Sequence, residues 1–266
     1  MTMSDKNSII DVSSFKGESA YVYGLKARAQ RHHCPGYGTF DVMLPELERK
    51  KKLYCRESGA ITNTAIYVKA MALAVAKNPG ANTVLFKKMF WGYRAVKFKN
   101  VDVNLPITRE VDGRMVTFIG TIRMADKKSL VDIQAELTHL QHCPESDSDA
   151  ITRIRKFSKM PLWLSLLVHW WMTKSAKFYI KQVGSCGMTL MQGKGERFFP
   201  IGPTSAIVGF GVPAKAPAVD NNGEVVAIRT LKCVVMVDNY VVSGLVGAKL
   251  VQDLIDLMEE AAVFND

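Results

Sequence analysis

Apolar residues recur along the chain with two different periods, and each period predicts a different kind of element. Alternating or continuous apolar runs rich in β-branched residues predict strands at 39–44, 101–107, 115–122, 187–191, 206–211 and 225–237, with a further strand or hairpin at 84–98. Apolar residues at helical spacing predict helices at 64–77, 130–142, 161–181 and 247–264. Strands and helices mix along the whole chain without an internal repeat or an interdomain linker. This pattern predicts one α+β domain with a mixed sheet.

Residues that interrupt these runs set the predicted ends of the elements. Thr62 is the expected N-cap of a helix that ends at 78–80 (NPG). Segment 35–38 (PGYG) is expected to break the chain before the first strand, and 112–113 (DG) and 220–223 (DNNG) are expected to form turns. The apolar face of the last helix is expected to consist of Leu250, Leu254, Leu257 and Met258.

The composition is that of a globular protein with a basic surface. Of the 266 residues, 48% are hydrophobic, which is enough to bury a sizeable core, and the formal net charge is +10. Such a charge favours an anionic partner: a phosphate-bearing small molecule, an acidic carrier protein, nucleic acid or a membrane surface. It can also serve only to keep the protein soluble. Because no nucleic-acid recognition motif occurs, no specific nucleic-acid partner is predicted.

Cysteine usage and hydropathy bear on the compartment. The five cysteines are scattered and form no C-x-x-C pair, which favours a reduced, cytoplasmic chain over a disulfide framework or a zinc site. The N-terminal sequence lacks the apolar region of a secretory signal. The most apolar stretch, 161–172, has 12 residues, so no membrane span is predicted.

Four segments of the chain carry a family resemblance. Residues 62–82 (TNTAIYVKAMALAVAKNPGAN) match a T-x6-K-A-x-A-x-A-L-x3-P-x2-N helix, and residues 101–137 contain the more specific segment MADKKSL. Residues 204–226 match an A-I-L-x-x-G hairpin, and 237–259 match a D-H-R-x-x-D-G terminus. In this order they resemble the catalytic core of the 2-oxoacid dehydrogenase acyltransferases (dihydrolipoyl acyltransferases), a fold shared with chloramphenicol acetyltransferase.

The resemblance implies a chloramphenicol acetyltransferase-like fold, a mixed-sheet two-layer sandwich that assembles as a homotrimer. Residues 26–266 would form this core, with a helical insert at about 145–182, and residues 1–25 a flexible N-terminal segment without a lipoyl domain. In the family, a channel between subunits admits coenzyme A and the acyl acceptor from opposite sides. The implied partners are therefore acyl-CoA or an acyl-carrier protein. The thioester of coenzyme A or phosphopantetheine would be a substrate, and no tightly bound cofactor is expected.

The family's catalytic motif is changed in this chain. In the family, the histidine of H-x-x-x-D-G deprotonates the acceptor, the aspartate holds an arginine, and a serine or threonine of a preceding strand stabilises the oxyanion. The resemblance places Asn239 at the histidine position and Ser243 at the aspartate position, followed by the retained Gly244. It places Met191 at the oxyanion position, with Thr189 retained two residues earlier.

Each change removes a different chemical role. A side-chain amide does not titrate near neutral pH, so Asn239 can orient a substrate but cannot act as a base. Ser243 cannot neutralise a buried arginine, and Met191 offers no strong hydrogen-bond donor to an oxyanion. The usual histidine-dependent transfer is therefore not expected.

A replacement base is available near the first strand. His33 lies just before this strand, which contains Phe40 and lines the acceptor side of the channel in the family. The imidazole of His33 is therefore a candidate base, and Phe40 a candidate for substrate binding. The alternative is that His32 and His33 are two surface residues of a basic loop.

The other substrate-binding candidates lie in the insert and in the strand that follows it. Trp170 and its neighbours Trp163 and Trp171 can cover an apolar substrate channel or pack as core. Gln192 belongs to the strand segment TLMQG, and Lys194 begins a basic loop that can contact coenzyme A phosphates or only solvent.

Three further groups have structural explanations. Cys186 would need a nearby cation to become a nucleophile, so a buried structural cysteine is expected. His139 and His142 have helical spacing but lack the carboxylates or cysteine pattern of a metal site, so a helix-end role is favoured and no metal is expected. His169 is expected to be a core residue.

Two functional hypotheses follow. In the first, the chain is an enzyme that acts on a coenzyme A- or carrier-bound acyl thioester, by transfer, condensation, cyclisation or hydrolysis, without the usual histidine base. In the second, it is a catalytically inactive pseudoenzyme that serves as a structural or scaffold subunit. Turnover of acyl thioesters and the effect of substituting Asn239 distinguish the two.

Overall fold

The computed structural model describes residues 33–88, 92–111, 114–144, 152, 160–172, 174–191, 193, 197–219 and 223–265. The strands within these ranges are β1 (Pro35–Met43), β2 (Thr83–Lys87), β3 (Tyr93–Lys97), β4 (Val103–Val111), β5 (Arg114–Ile122), β6 (Cys186–Leu190), β7 (Ala206–Phe210), β8 (Ala214–Val219) and β9 (Val225–Asp238). The helices are α1 (Pro45–Ser58), α2 (Asn63–Lys77), α3 (Leu130–His142), α4 (Leu162–Met172), α5 (Ala176–Val183), α6 (Gly244–Glu259) and a short 3-10 helix (Ala262–Phe264).

Seven of the described strands form one sheet. Their order is β1-β9-β7-β6-β4-β5, with β8 paired to the first half of β9. The β4–β6 and β6–β7 pairs are parallel and the other pairs are antiparallel. β2 and β3 form a separate hairpin. The structure thus confirms the α+β class and the mixed sheet that the sequence predicts.

Three helices pack on this sheet and bury the core. α2 is rich in Ala, Val, Ile and Met almost all round, and it is accordingly buried almost all round. Its predicted N-cap is confirmed, since the Thr62 hydroxyl accepts a hydrogen bond from Ala65 N at 3.3 Å. α3 packs against α2 and on β4 and β5, while α6 packs against α2 and β1. The predicted apolar face of α6 is buried: Leu250, Leu254, Leu257 and Met258.

The first strand begins earlier than predicted. The sequence predicts that segment 35–38 interrupts the chain, but these residues belong to β1 and pair with 235–238 of β9. Pro35 is tolerated because it is the first residue of a strand at the sheet edge. A Cβ atom at Gly36 would lie 2.6 Å from Asn239 Nδ2. The glycine therefore leaves room for the side chain of Asn239.

The predictions for the insert and for β8 also need correction. The single predicted helix at 161–181 is two helices, because α4 ends at Met172 and Ser175 caps α5 by accepting a hydrogen bond from Phe178 N at 3.3 Å. β8, which contains Pro217, is absent from the sequence predictions; among the described strands it pairs with β9 alone, and its other edge therefore accepts a proline. Residues 1–25, the turns at 112–113 and 220–222, and most of 145–160 lie outside the described residues.

Membrane-spanning potential was checked over the described helices. None of them alone is long and apolar enough to cross a bilayer. Only α1 and α2 taken together meet the length and composition criteria, and that pair is bent by 108°.

Candidate active site at the end of β9

Asp238, the last residue of β9, is the centre of the corner that leads into α6. Its side chain is fully buried. Asp238 Oδ1 accepts hydrogen bonds from Cys34 N at 2.9 Å and from Tyr240 N at 3.1 Å. The Asp238 carbonyl accepts hydrogen bonds from Val241 N and Val242 N, which turns the chain toward α6. One carboxylate therefore joins the start of β1, the end of β9 and the turn that follows.

His33 brings a second titratable side chain to this corner. Its side chain is 3% exposed, and His33 Nδ1 lies 3.0 Å from Asp238 Oδ2. The two atoms are within ion-pair distance, but the direction of the ring N–H is not that of a straight hydrogen bond. The alternative that His33 is a surface residue is therefore wrong, and His32 lies outside the described residues.

The environment of Asp238 favours its ionised form. Burial raises the pKa of this carboxyl, but the contact with His33 and the backbone N–H groups of Cys34 and Tyr240 outweigh burial and hold the pKa below its usual value. Asp238 is therefore a carboxylate at neutral pH. A carboxylate beside Nδ1 favours a hydrogen on that nitrogen, which leaves Nε2 as the atom of His33 that can exchange a proton.

Buried polar atoms without an aligned hydrogen bond are concentrated here. The described residues contain six such side-chain atoms, and three of them are His33 Nδ1, Asp238 Oδ2 and Ser205 Oγ. Ser205 is fully buried and its carbonyl accepts a hydrogen bond from Asp238 N at 2.8 Å. It lies opposite Asp238 on the neighbouring strand, so the two side chains share a face of the sheet. His33 Nδ1 and Asp238 Oδ2 face each other, so Ser205 Oγ is the buried polar atom of this cluster that is left for a ligand or water.

Asp238 and Ser205 were given no role in the sequence analysis. The available signal was an acidic residue at the end of the apolar run 231–237, where burial of a carboxylate is costly unless it is paired. No local pattern distinguishes Ser205, because its burial depends on the pairing of β7 with β9.

Asn239 lies at the surface of the same corner. Its backbone N donates a hydrogen bond to Cys34 O at 2.8 Å, and the residue is exposed. The side-chain amide lies over Gly36, where only a glycine leaves room for it. Asn239 can therefore present an amide to a bound molecule, next to the buried pair of His33 and Asp238.

Ser243 and Gly244 form the start of α6. Ser243 is the N-cap, and its hydroxyl accepts a hydrogen bond from Val246 N at 3.4 Å. Gly244 is the first helical residue and has open space beside its Cα. These placements give Ser243 a structural role, while a catalytic role for Ser243 and substrate binding by Gly244 stay predictions.

Thr189 and Met191 lie far from this corner within one chain. Thr189 pairs with Gly209 of β7, which pairs with Val234 of β9. Asn239 follows Val234 by five residues, so it is displaced from Thr189 by two strands across the sheet and by five residues along β9. At typical strand spacings, this places Thr189 and Asn239 about 19 Å apart. Met191 lies further in the same direction, with its N–H donating to Phe210 O at 2.9 Å.

The remaining substrate-binding candidates are not joined to the corner by any described contact. Phe40 is buried in the hydrophobic core opposite Cys233 of β9. Trp170 is exposed, as are Trp163 and Trp171, so the alternative that these tryptophans pack as core is wrong. Gln192 and Lys194 lie outside the described residues.

The other titratable candidates have structural environments. Cys186 is fully buried, and burial raises the pKa of its thiol, which confirms a structural cysteine. His139 and His142 lie in the last turn of α3, where a cation is favoured by the helix dipole. No group of metal-ligating side chains occurs among the residues that the structure describes. The side chain of His169 is not among the side chains that the structure describes.

An exposed aromatic strip borders β1 near the corner. Tyr37 is half-exposed, and its ring meets that of Phe199 edge-on at 5.4 Å between ring centres. The Tyr37 hydroxyl donates a hydrogen bond to Pro200 O at 3.2 Å, which fixes this contact. Phe198 and Ile201 extend the exposed apolar surface. Tyr37 follows His33 by four residues, or about 13 Å of extended chain.

Comparison with known proteins gives matches in structure only. No protein-family model matches the sequence, and no curated protein matches it. The cubic core of the pyruvate dehydrogenase multienzyme complex matches with a TM-score of 0.72 and 16% identity, over 100% of this chain and 98% of that one. Dihydrolipoamide acetyltransferase from Azotobacter vinelandii matches with a TM-score of 0.71 and 16% identity, over 100% of this chain and 98% of that one. A probable dihydrolipoamide acetyltransferase from Listeria monocytogenes matches with a TM-score of 0.66 and 15% identity, over 95% of this chain and 96% of that one.

At such low identity, structural likeness establishes the fold and not the activity. The matches nevertheless extend over nearly the full length of both chains. They confirm the fold that the four sequence segments predict. The chain has the mixed-sheet α+β fold of the dihydrolipoamide acetyltransferase catalytic cores.

Proposed function

We propose that this chain is an enzyme that acts on an acyl thioester of coenzyme A or of a carrier phosphopantetheine, with His33 as its base. The observation that carries the proposal is the buried pair of His33 and Asp238, whose Nδ1 and Oδ2 atoms are 3.0 Å apart beside Asn239. The fold of the matching acetyltransferase cores supports chemistry on an acyl group. In this proposal Asn239 occupies the position of the usual family histidine, and His33 takes over the role of the base.

The pair supplies the proton transfers that acyl transfer requires. Ionised Asp238 orients the imidazole of His33 with a hydrogen on Nδ1, and Nε2 removes the proton of an acceptor thiol or hydroxyl. The acceptor attacks the thioester carbonyl, the carbon–sulfur bond breaks, and the proton returns from His33 to the departing thiolate. The acyl group thereby moves to the acceptor and a free thiol is released. The exposed amide of Asn239 would orient the thioester.

The complete site requires a second copy of the chain. The corner and the end of β6, where the resemblance places the oxyanion position, are about 19 Å apart in one protomer. A homotrimer in which the corner of one copy faces β6 of another would bring them together. The multienzyme core among the matching structures supports such self-association.

The acyl group is proposed to be apolar. The exposed strip formed by Tyr37, Phe198 and Phe199 begins within reach of the corner and offers aromatic surface to an acyl chain. Shorter acyl groups would bury less of this surface and would bind more weakly.

Thiol release from acyl-CoAs of increasing chain length tests this proposal. We expect turnover by the wild-type protein, and a fall of about 10²- to 10⁴-fold in kcat for His33→Gln, because the base is lost. His139→Gln is the matched control: His139 lies in the last turn of α3, so this variant should leave turnover unchanged.

Two outcomes would refute the proposal: absence of both binding and turnover across all chain lengths, or full turnover by His33→Gln. The first outcome would favour the second hypothesis, a structural or scaffold subunit. A specific observation favours that alternative: Ser243 caps a helix and Asn239 packs over Gly36, so both altered motif positions have structural roles. A scaffold would tolerate Asn239→Ala without loss of cellular function.

A further inference from the structure

Helix α4 carries its apolar side chains on the outside of the molecule. It contains no charged residue. Of the seven side chains described in this helix, five are exposed. Their exposed fractions are 68% for Trp163, 36% for Leu166, 51% for Leu167, 51% for Trp170 and 51% for Trp171. Apolar side chains that stay this exposed on one helix are stabilised by another apolar environment.

The sequence around α4 is basic and lacks acids. Residues 150–195 contain eight lysines and arginines and no aspartate or glutamate, whereas the whole chain has a net charge of +10. The cations are Arg153, Arg155, Lys156, Lys159, Lys174, Lys177, Lys181 and Lys194. Most of the excess positive charge of the protein is therefore concentrated in the sequence around its most exposed apolar helix.

The structure brings further cations to the end of α4. Lys174 Nζ lies 5.2 Å from the ring centre of Trp170, and Arg94 Nη2 donates a hydrogen bond to Lys174 O at 2.9 Å. Burial and the neighbouring charge of Lys87 lower the pKa of Lys174. The end of α4 and the β2–β3 hairpin thus form one basic surface beside exposed tryptophan.

We propose that α4 binds the surface of an anionic membrane. Its tryptophans and leucines would enter the boundary between headgroups and acyl chains, and the flanking lysines and arginines would contact the lipid phosphates. The 11 residues of α4 are about 16 Å long, which is too short to cross a bilayer, so the helix lies in the interface.

The charges favour lipid over the other occupants of an apolar surface. Contact between two α4 helices of copies of this chain would bring the same basic segments together, which costs free energy. Nucleic acid would accept the positive charge but would not bury Leu166 or Leu167. An anionic membrane provides both the negative charge and the apolar environment.

Co-sedimentation of the full-length protein with lipid vesicles tests this proposal. Vesicles of phosphatidylcholine alone are compared with vesicles that contain about 30% phosphatidylglycerol, at low and high salt. We expect at least about tenfold stronger partition onto the anionic vesicles, weakened by salt, with a blue shift of tryptophan emission. Trp163→Ser/Leu167→Ser should reduce this partition by at least about tenfold.

Two control variants separate the apolar and the electrostatic contributions. Val219→Ser/Val225→Ser removes apolar side chains of similar exposure from β8 and β9 and should bind as the wild type does. Lys177→Gln/Lys181→Gln should weaken binding to anionic vesicles and reduce its salt dependence.

The proposal is overturned if the wild type does not bind anionic vesicles, or if the α4 variant binds as well as the wild type. It is also overturned if the wild type does not bind vesicles and light scattering shows that the α4 variant has a different oligomeric state. In that case α4 is an interface between copies of the chain.

Discussion

The corner around Asp238 and helix α4 depart in opposite directions from the usual distribution of polar and apolar side chains. At the corner, a carboxylate and an imidazole are almost completely buried. In α4, tryptophans and leucines are exposed. Both arrangements cost free energy in an isolated protein, so both are more informative than an ordinary core or surface.

The two regions differ in what compensates this cost. At the corner, the chain itself supplies the compensation, because Asp238 receives two backbone N–H groups and the imidazole of His33. At α4, five apolar side chains stay exposed although contacts such as that of Trp171 with Phe178 cover part of them. We therefore expect substitutions at the corner to reduce stability, and substitutions in α4 to change binding with little effect on stability.

Removing the carboxylate at the corner should have the largest effect. Asp238→Ala leaves two buried N–H groups and an imidazole without their acceptor, so we expect the free energy of unfolding to fall by about 3 kcal/mol. Urea unfolding measures this change. Asp238→Asn retains one oxygen acceptor and should lose less. A loss below about 1 kcal/mol in Asp238→Ala would show that the corner does not hold the fold together.

The pH dependence of stability should show a smaller effect of the same group. The folded-state pKa of Asp238 is lowered, so its contribution is fully present above the unfolded pKa and is lost as pH falls through the lower, folded pKa. We therefore expect the urea midpoint of the wild type to fall more steeply below about pH 4 than that of Asp238→Asn. Parallel curves for the two proteins would contradict this assignment.

The contact of Gly36 with Asn239 should contribute a still smaller amount. A Cβ at position 36 would lie 2.6 Å from Asn239 Nδ2, so Gly36→Ala should displace that amide and cost about 1 kcal/mol. In Gly36→Ala/Asn239→Ala the obstacle is removed, and most of the cost should be recovered. Urea unfolding of the wild type, the two single variants and the double variant measures this recovery. If the effects of the two single substitutions simply add, the Asn239 amide is displaced without cost and the prediction is wrong.

Substitution in α4 should have the smallest effect on stability. Trp163 is 68% exposed, so Trp163→Ser should change the free energy of unfolding by less than about 0.5 kcal/mol. Thermal unfolding in the absence of lipid measures this. A loss of more than about 2 kcal/mol would mean that α4 packs as part of the core, and the contrast with the corner would disappear.

The sequence by itself determined most of the elements and most of the core, because these depend on local patterns. The all-round apolar run of α2 with Thr62 before it, and the one-sided spacing of Leu250 and Leu254 in α6, are sufficient to predict buried helices. The order of motifs also predicted the acyltransferase fold. The strand at 35–38 was missed, because a local Pro-Gly pattern does not show that Gly36 lies under the side chain of Asn239.

Only the tertiary structure decided which side chains meet at the site and which apolar residues stay outside. His33 and Asp238 are far apart in the sequence, and they meet because β1 pairs with β9 in one register; a slip of one residue would turn the Asp238 side chain to the other face. Likewise, the apolar composition of α4 is that of a core helix, and only the packing shows that Trp163 and Trp171 remain exposed. Periodicity is a property of neighbouring residues, whereas burial and pairing depend on residues that are distant in the chain.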